Sequence, residues 1–237
     1  MAAIMVAMSF TGIPSSKNKI SVFFDHYVGD SLLQLDARVY KNDLGQPYTI
    51  TKLRYYIGHI RLEKASGKKV FFDDYYLIDE EEEQSKKIIK DDVPTGTYTS
   101  MSFTIGVDSA DNCSGAQSGA LDPVNAMFWA WNTGYIFLKL EGKAPASQSP
   151  CHIFEYHIGG YRQPYNCVRY VTLKFSTPLT VSNAGENKEI HIKADIAEIL
   201  KNPVNIDFSK LSSVTDFHNA TTIADNYKDM FSISKIR

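Results

Sequence analysis

Short runs dominated by aromatic and β-branched residues recur along this chain, each closed by turn-forming residues before it grows long enough for a helix. Residues 20–28 (ISVFFDHYV) read as a strand. Residues 48–62 (YTITKLRYYIGHIRL) read as one long strand or as two broken near Gly58. Further strands are expected over residues 71–78, 98–107, 135–140, 153–158, 169–175 and 189–194. Asn42-Asp43-Leu44-Gly45, Ser66-Gly67-Lys68 and Val93-Pro94-Thr95-Gly96 supply turn chemistry between them. Helix signals are confined to residues 196–201 and 222–231. The expected fold is therefore all-β: a single antiparallel β-sandwich of immunoglobulin or jelly-roll type, with one or two short helices near the C-terminus. No internal repeat or low-complexity linker divides the chain, so residues 20–237 are expected to form one domain.

Composition agrees. Fourteen Tyr and thirteen Phe in 237 residues suit pleated, half-buried surfaces. Twenty-five Lys and Arg against 27 Asp and Glu leave a formal charge of -2, which provides no basic field for a nucleic acid. Residues 1–19 begin with the apolar run MAAIMVAMSF, too short to span a bilayer and without a basic flank. They read as the remnant of an export signal or as a flexible arm. The four acids and the amide of residues 80–84 read as a solvated loop. GxSxG, P-loop, GxGxxG and HExxH signatures are all missing, and no enzymatic activity is expected.

The residues with chemistry are few. Both tryptophans, Trp129 and Trp131, sit in MFWAWNTGYIFLKLEG, alternating with Met127 onto one face of an extended segment. His26 shares a strand face with Val22, Phe24 and Val28, and His157 ends a strand just before Gly159-Gly160. Imidazole, thioether and aromatic groups gathered in a dry pocket suit soft Cu(I) better than calcium or magnesium, whereas the same residues are also ordinary sandwich core. His218 precedes the second helical segment and, with Met127, is a candidate for a further metal contact. His59, His152 and His191 are read as structural. Asp108, Asp111, Asn112 and Asp122 fall in one long loop without the spacing of an EF-hand, and Asx turns explain them. Cys113, Cys151 and Cys167 match no zinc or redox spacing. Cys151 and Cys167 are the pair closest in sequence for a disulfide, and three reduced thiols are the alternative.

The series VPTGTYTSMSFTIGVDSADNCSGAQSGALDP, then MFWAWNTGYIFLKLEG, then FEYHIGG with VRYVTLKF as its hairpin partner, resembles the MbnP family, the methanobactin-cassette P protein and its relatives. The resemblance extends from about residue 20 to ADNYKDMF. It implies an exported, periplasmic or cell-surface β-sandwich associated with copper. In relatives from methane-oxidising bacteria, two histidines and a tryptophan oxidised to kynurenine hold the metal, the oxidation being performed by a di-haem peroxidase-like partner. Carried onto this chain, the implied ligands are His26, His157 and one of Trp131 and Trp129. Scavenging, storage or delivery of Cu(I) follows as the implied function. A metal-free surface module that stacks a glycan on the same aromatics, or recognises a protein, is the competing expectation.

Overall fold

The computed structural model describes residues 17–72, 74–115, 117–129, 134–182 and 185–237. The arm expected over residues 1–19 lies outside them up to residue 16, and so does Trp131. Among the described residues, fifteen strands and two short α-helices follow in chain order. The first six strands are β1 (Lys19–Val28), β2 (Ser31–Leu32), β3 (Tyr40–Lys41), β4 (Pro47–Lys64), β5 (Lys69–Phe72) and β6 (Tyr76–Asp79). Then come β7 (Lys87–Lys90), β8 (Gly96–Ile105), helix α1 (Ser109–Cys113), β9 (Phe128–Trp129), β10 (Gly134–Lys143) and β11 (Ile153–Gly159). The chain closes with β12 (Arg169–Val181), β13 (Asn187–Asp195), β14 (Ser213–Val214), α2 (Ala220–Tyr227) and β15 (Phe231–Ile236).

The strands form two sheets. The smaller runs β15-β13-β1-β2, with β7 also on β1. The larger runs β12-β8-β4-β10-β11-β14, with β3, β5 and β6 on β4 and β9 on β10. The β content agrees with the expectation, but the pairing is mixed rather than purely antiparallel. β1 pairs in parallel with β13, Lys19 opposite Asn187 through Tyr27 opposite Asp195, and β11 pairs in parallel with β14. Alternation in a sequence reports which face is buried and carries no information on strand direction. A second correction concerns β12. The expected hairpin between β11 and β12 does not form, because β12 pairs along its length with β8, while β11 takes β10 and β14.

Residues 48–62 form one strand, as the longer of the two readings had it. β4 takes β10 along its first half and β8 along its second, with a register shift between Gly58 and Arg61 where His59 adopts a φ of 50°. That shift is a bulge, which bends the strand without ending it. The segment expected to be a strand at 71–78 is two strands, β5 and β6, both on β4. The helix expected at 222–231 is α2, which stops at Tyr227, and Phe231 opens β15. Residues 196–200 form a 3-10 turn whose Asp195 carboxylate accepts from the Ala197 amide.

The core lies between the sheets. Phe24 of the smaller sheet meets Phe103 of the larger at 5.9 Å and Tyr55 at 6.4 Å, and Phe231 packs edge-on against Phe24, Tyr55 and Phe103. Edge-to-face pairs of this kind stabilise beyond their buried area by about 0.5–1.5 kcal/mol each.

The expected Cys151–Cys167 disulfide is not formed. All three cysteines are free thiols. Cys151 precedes β11 and Cys167 follows it, so seven extended residues hold them on the order of 20 Å apart, far beyond disulfide reach. Cys167 is buried, which pushes its thiol up to about 12, while Cys113 is exposed and its thiol is lowered by Tyr161 and Arg162. Iodoacetamide at neutral pH should therefore label Cys113 in the native protein and reach Cys167 only after denaturation. Rapid native labelling of Cys167, read by peptide mass mapping, would contradict this arrangement.

Candidate functional site

The larger sheet separates the two histidines singled out by sequence. On β4, β10 and β11 the residues Tyr55, Leu138, Leu140, Tyr156 and Ile158 point into the sandwich and are fully buried. Alternation then sends Arg54, Lys139, Glu141 and His157 to the opposite, outer face. His26 reaches the inner face from β1 and contacts Tyr55. The structure thus places His26 inside the sandwich and His157 outside it, and does not bring the two together.

Each imidazole has a defined setting. His26 Nδ1 lies 2.5 Å from Glu80 Oε2 and Nε2 lies 2.8 Å from Tyr55 Oη, so both ring nitrogens are engaged. Burial pushes the Tyr55 phenol well above its ordinary value, so it stays protonated beside Nε2, while Nδ1–H of His26 donates to Glu80. Burial also pushes the Glu80 carboxyl upward, but the hydrogen bond and charge of His26, joined by Lys86, outweigh it and the group titrates below its usual range. Sequence reasoning put Glu80 in a solvated loop. Its side chain is 13% exposed, against 88% for Glu83 in the same acidic run.

On the outer face, His157 donates from Nε2 to Glu141 Oε1 at 2.8 Å. That hydrogen bond, working against burial, holds the Glu141 carboxyl below its ordinary value. Nδ1 of His157 has no hydrogen-bond partner among the described residues. Two residues on, and on the same face, lies Gly159. A Cβ there would fall 2.6 Å from Trp129 Cζ3 and 2.6 Å from the Tyr135 carbonyl oxygen. Glycine is thus what lets the indole of Trp129 close over the end of β11. Trp129 pairs with Gly134 across β9 and β10 and is 5% exposed; Met127 is buried beneath the same segment.

Beyond Trp129 the outer face opens into a cavity of about 210 Å³ walled by Trp129, Tyr161, Tyr165 and Phe217, with Arg162 and Gln163 at its mouth. Buried Asn112 fixes the floor: its Nδ2 donates to the Val107 and Asp108 carbonyls and its Oδ1 accepts from the Tyr135 amide. Asp108 caps α1 by accepting from the Asp111 amide, and Asp122 accepts from the Val124 amide, so these loop acids serve turns. His218 is a surface residue with a side chain 80% exposed, its ring 5.6 Å from that of Tyr165. His59 bonds Tyr75 and Asp108, His152 bonds the Ser147 carbonyl, and His191 stacks on Phe23 beside Asp25. Among the described residues no group of three or more His, Cys, Asp and Glu is placed to hold a metal ion. The cavity walls escaped sequence reasoning because Tyr161, Tyr165 and Phe217 come from connecting segments whose convergence has no periodic signature.

Two mixed sheets packed face to face, the larger carrying a tryptophan and a carboxylate-held histidine on its outer face, define a β-rich protein of sandwich-like architecture. The MbnP family model matches residues 17–219, and the chain belongs to that family. Among solved structures, MbnP from Methylosinus trichosporium shares the fold with a TM-score of 0.52 and 15% identity, over 81% of this chain and 80% of that one. No curated protein sequence matches the chain.

Proposed function

We propose that this protein binds copper without turnover, in an exported setting, and that the outer corner of the larger sheet is where it does so. The observation that carries the reading is His157 in a chain of the MbnP family: Glu141 holds its Nε2, which orients the ring and leaves Nδ1 for a metal beside Trp129. Carboxylate-oriented imidazoles are the usual form of a metal-bound histidine. Imidazole and aromatic-derived groups favour Cu(I) over the metals that hard oxygen ligands hold. His26 fits this corner less well, since ligation there would require it to leave both Tyr55 and Glu80 and to cross the sheet. Oxidation of a tryptophan to kynurenine by a di-haem peroxidase-like partner belongs to the same proposal and is checked by the intact mass of natively produced protein.

The test is an anaerobic competition titration against a chromophoric Cu(I) chelator. His157→Ala should weaken Cu(I) binding by on the order of 100-fold or more, and Glu141→Gln by roughly 10–100-fold, as loss of an orienting partner does. Asp111→Ala should leave affinity unchanged, since hard carboxylate oxygens suit other metals. Equal affinity of His157→Ala and the parent, with folding confirmed by circular dichroism, would remove this site from consideration.

A further inference from the structure

The cavity beside Trp129 has a composition that a metal site does not need. Its walls are aromatic planes: Phe217 stands edge-on to Trp129 at 6.0 Å, and Tyr165 lies nearly parallel to Phe217, with 6.4 Å between centroids and 20° between planes. Tyr161 forms the next wall, with the Arg162 guanidinium 5.0 Å above its ring. The polar complement at the mouth is small, and among the described lining residues its full charge is the Arg162 guanidinium. Arg162 has no carboxylate partner among the described residues; its contacts there are the Tyr161 ring and, at 3.9 Å, Cys113 Sγ. A guanidinium without a carboxylate partner among the described residues thus stands at the mouth of an aromatic cleft.

The cleft is also held open by its scaffold. Its back is the end of β11 and the start of β10, tied down by Asn112, and Gly160 at a φ of 119° turns the chain so that the Tyr161–Tyr165 loop folds over it. Concave sites with mostly apolar linings and a few convergent polar groups are the usual form of small-molecule pockets. From these observations we infer that the cavity walled by Trp129, Tyr161, Tyr165 and Phe217 is a binding site for a small planar anion, a ring-bearing carboxylate that inserts its ring between the aromatic walls and places its carboxylate on Arg162. A volume of about 210 Å³ accommodates one or two fused rings. The guanidinium offers a two-pronged, charge-assisted contact that a neutral or cationic ring cannot use. A neutral sugar would need a denser set of hydrogen-bonding groups than one arginine, one glutamine and two phenols.

Isothermal titration of the full chain with 2-naphthoate, 2-naphthylmethanol and 2-naphthylmethylamine tests the inference. The carboxylate is expected to bind about tenfold more tightly than the alcohol, and the amine not measurably, because only the carboxylate pairs with Arg162. Arg162→Met keeps the side-chain length at an exposed position and should reduce naphthoate affinity to that of the alcohol while leaving the alcohol unchanged. Phe217→Ala should weaken both. His157→Ala should leave naphthoate binding intact, which separates this site from the proposed copper corner. Equal affinity for carboxylate and alcohol, an Arg162→Met variant that binds naphthoate like the parent, or no binding of either compound would overturn the inference.

Discussion

Gly142→Ala is expected to destabilise the protein by about 3 kcal/mol or more, at the upper end of what overpacking does. Gly142 lies mid-strand in β10, opposite Ile50 of β4 and Phe154 of β11. A Cβ there would fall 2.0 Å from the Thr49 carbonyl oxygen and 2.5 Å from the Phe154 ring. Neither can yield cheaply. The oxygen belongs to the neighbouring strand's backbone, and Phe154 is fully buried against Tyr48, Tyr156 and Phe208. Alanine's gain of roughly 0.5–1 kcal/mol in backbone entropy over glycine is smaller than the clash. For a chain of this size the loss corresponds to a fall in Tm of about 10 °C. Urea unfolding that places Gly142→Ala within about 1 kcal/mol of the parent would show that β4 and β10 separate more easily than their register implies.

His26→Leu should destabilise by about 2–4 kcal/mol at neutral pH, because it strands two polar groups at once. Tyr55 Oη loses its partner in the fully buried core, and Glu80 keeps only Lys86. The pH dependence carries a sign that separates this account from simple loss of packing. In the parent, Glu80 titrates below its ordinary value in the folded state, so its contribution is present above the unfolded value near ~4.3 and is lost as pH falls through the folded one. In His26→Leu the same carboxyl is desolvated with a weaker partner set, and its folded pKa should rise. Acidification then protonates the stranded carboxylate, and the gap between variant and parent should narrow from pH ~6 to pH ~4. A gap that stays constant over this range would mean that the ion pair with Glu80 contributes nothing beyond shape.

Legibility in the sequence followed physical range. Strand positions were readable because alternation between aromatic and polar residues is a local property: residues 20–28 and 48–62 became β1 and β4 with ends shifted by one or two residues. Partnership was not readable. The run VRYVTLKF carries no mark that it pairs with β8 rather than with β11, its nearer neighbour in sequence. The segment FSISKI at 231–236 pairs with β13, although its first residue had been assigned to the helix. At the site, alternation correctly put His26 among apolar neighbours and His157 at a strand end. It cannot say that these two strands present the residues to opposite faces of a sheet, nor that Glu80 and Glu141 claim their rings. Trp131, the first-ranked tryptophan of the pair, lies outside the described residues. Trp129 is the indole whose place over β11 is defined, and the signal for it was local after all: Gly159, two residues after His157, leaves room for a ring.

The parallel union of β1 with β13 also governs the sequence of events during synthesis. Asn18 receives the Glu186 amide across 168 positions of chain, and β1 meets its lateral neighbour along nine consecutive pairs only when that distant segment exists. A ribosome that has released residues up to the end of β12 has delivered every strand of the larger sheet except the two-residue β14. At that moment β1 holds β7 and β2 on one flank and a bare row of amides and carbonyls on the other, with Val22 and Phe24 lacking the cover later supplied by β13 and Phe231. The smaller sheet is therefore the last piece to close, and the interval before it closes is when an open strand edge is available to another chain.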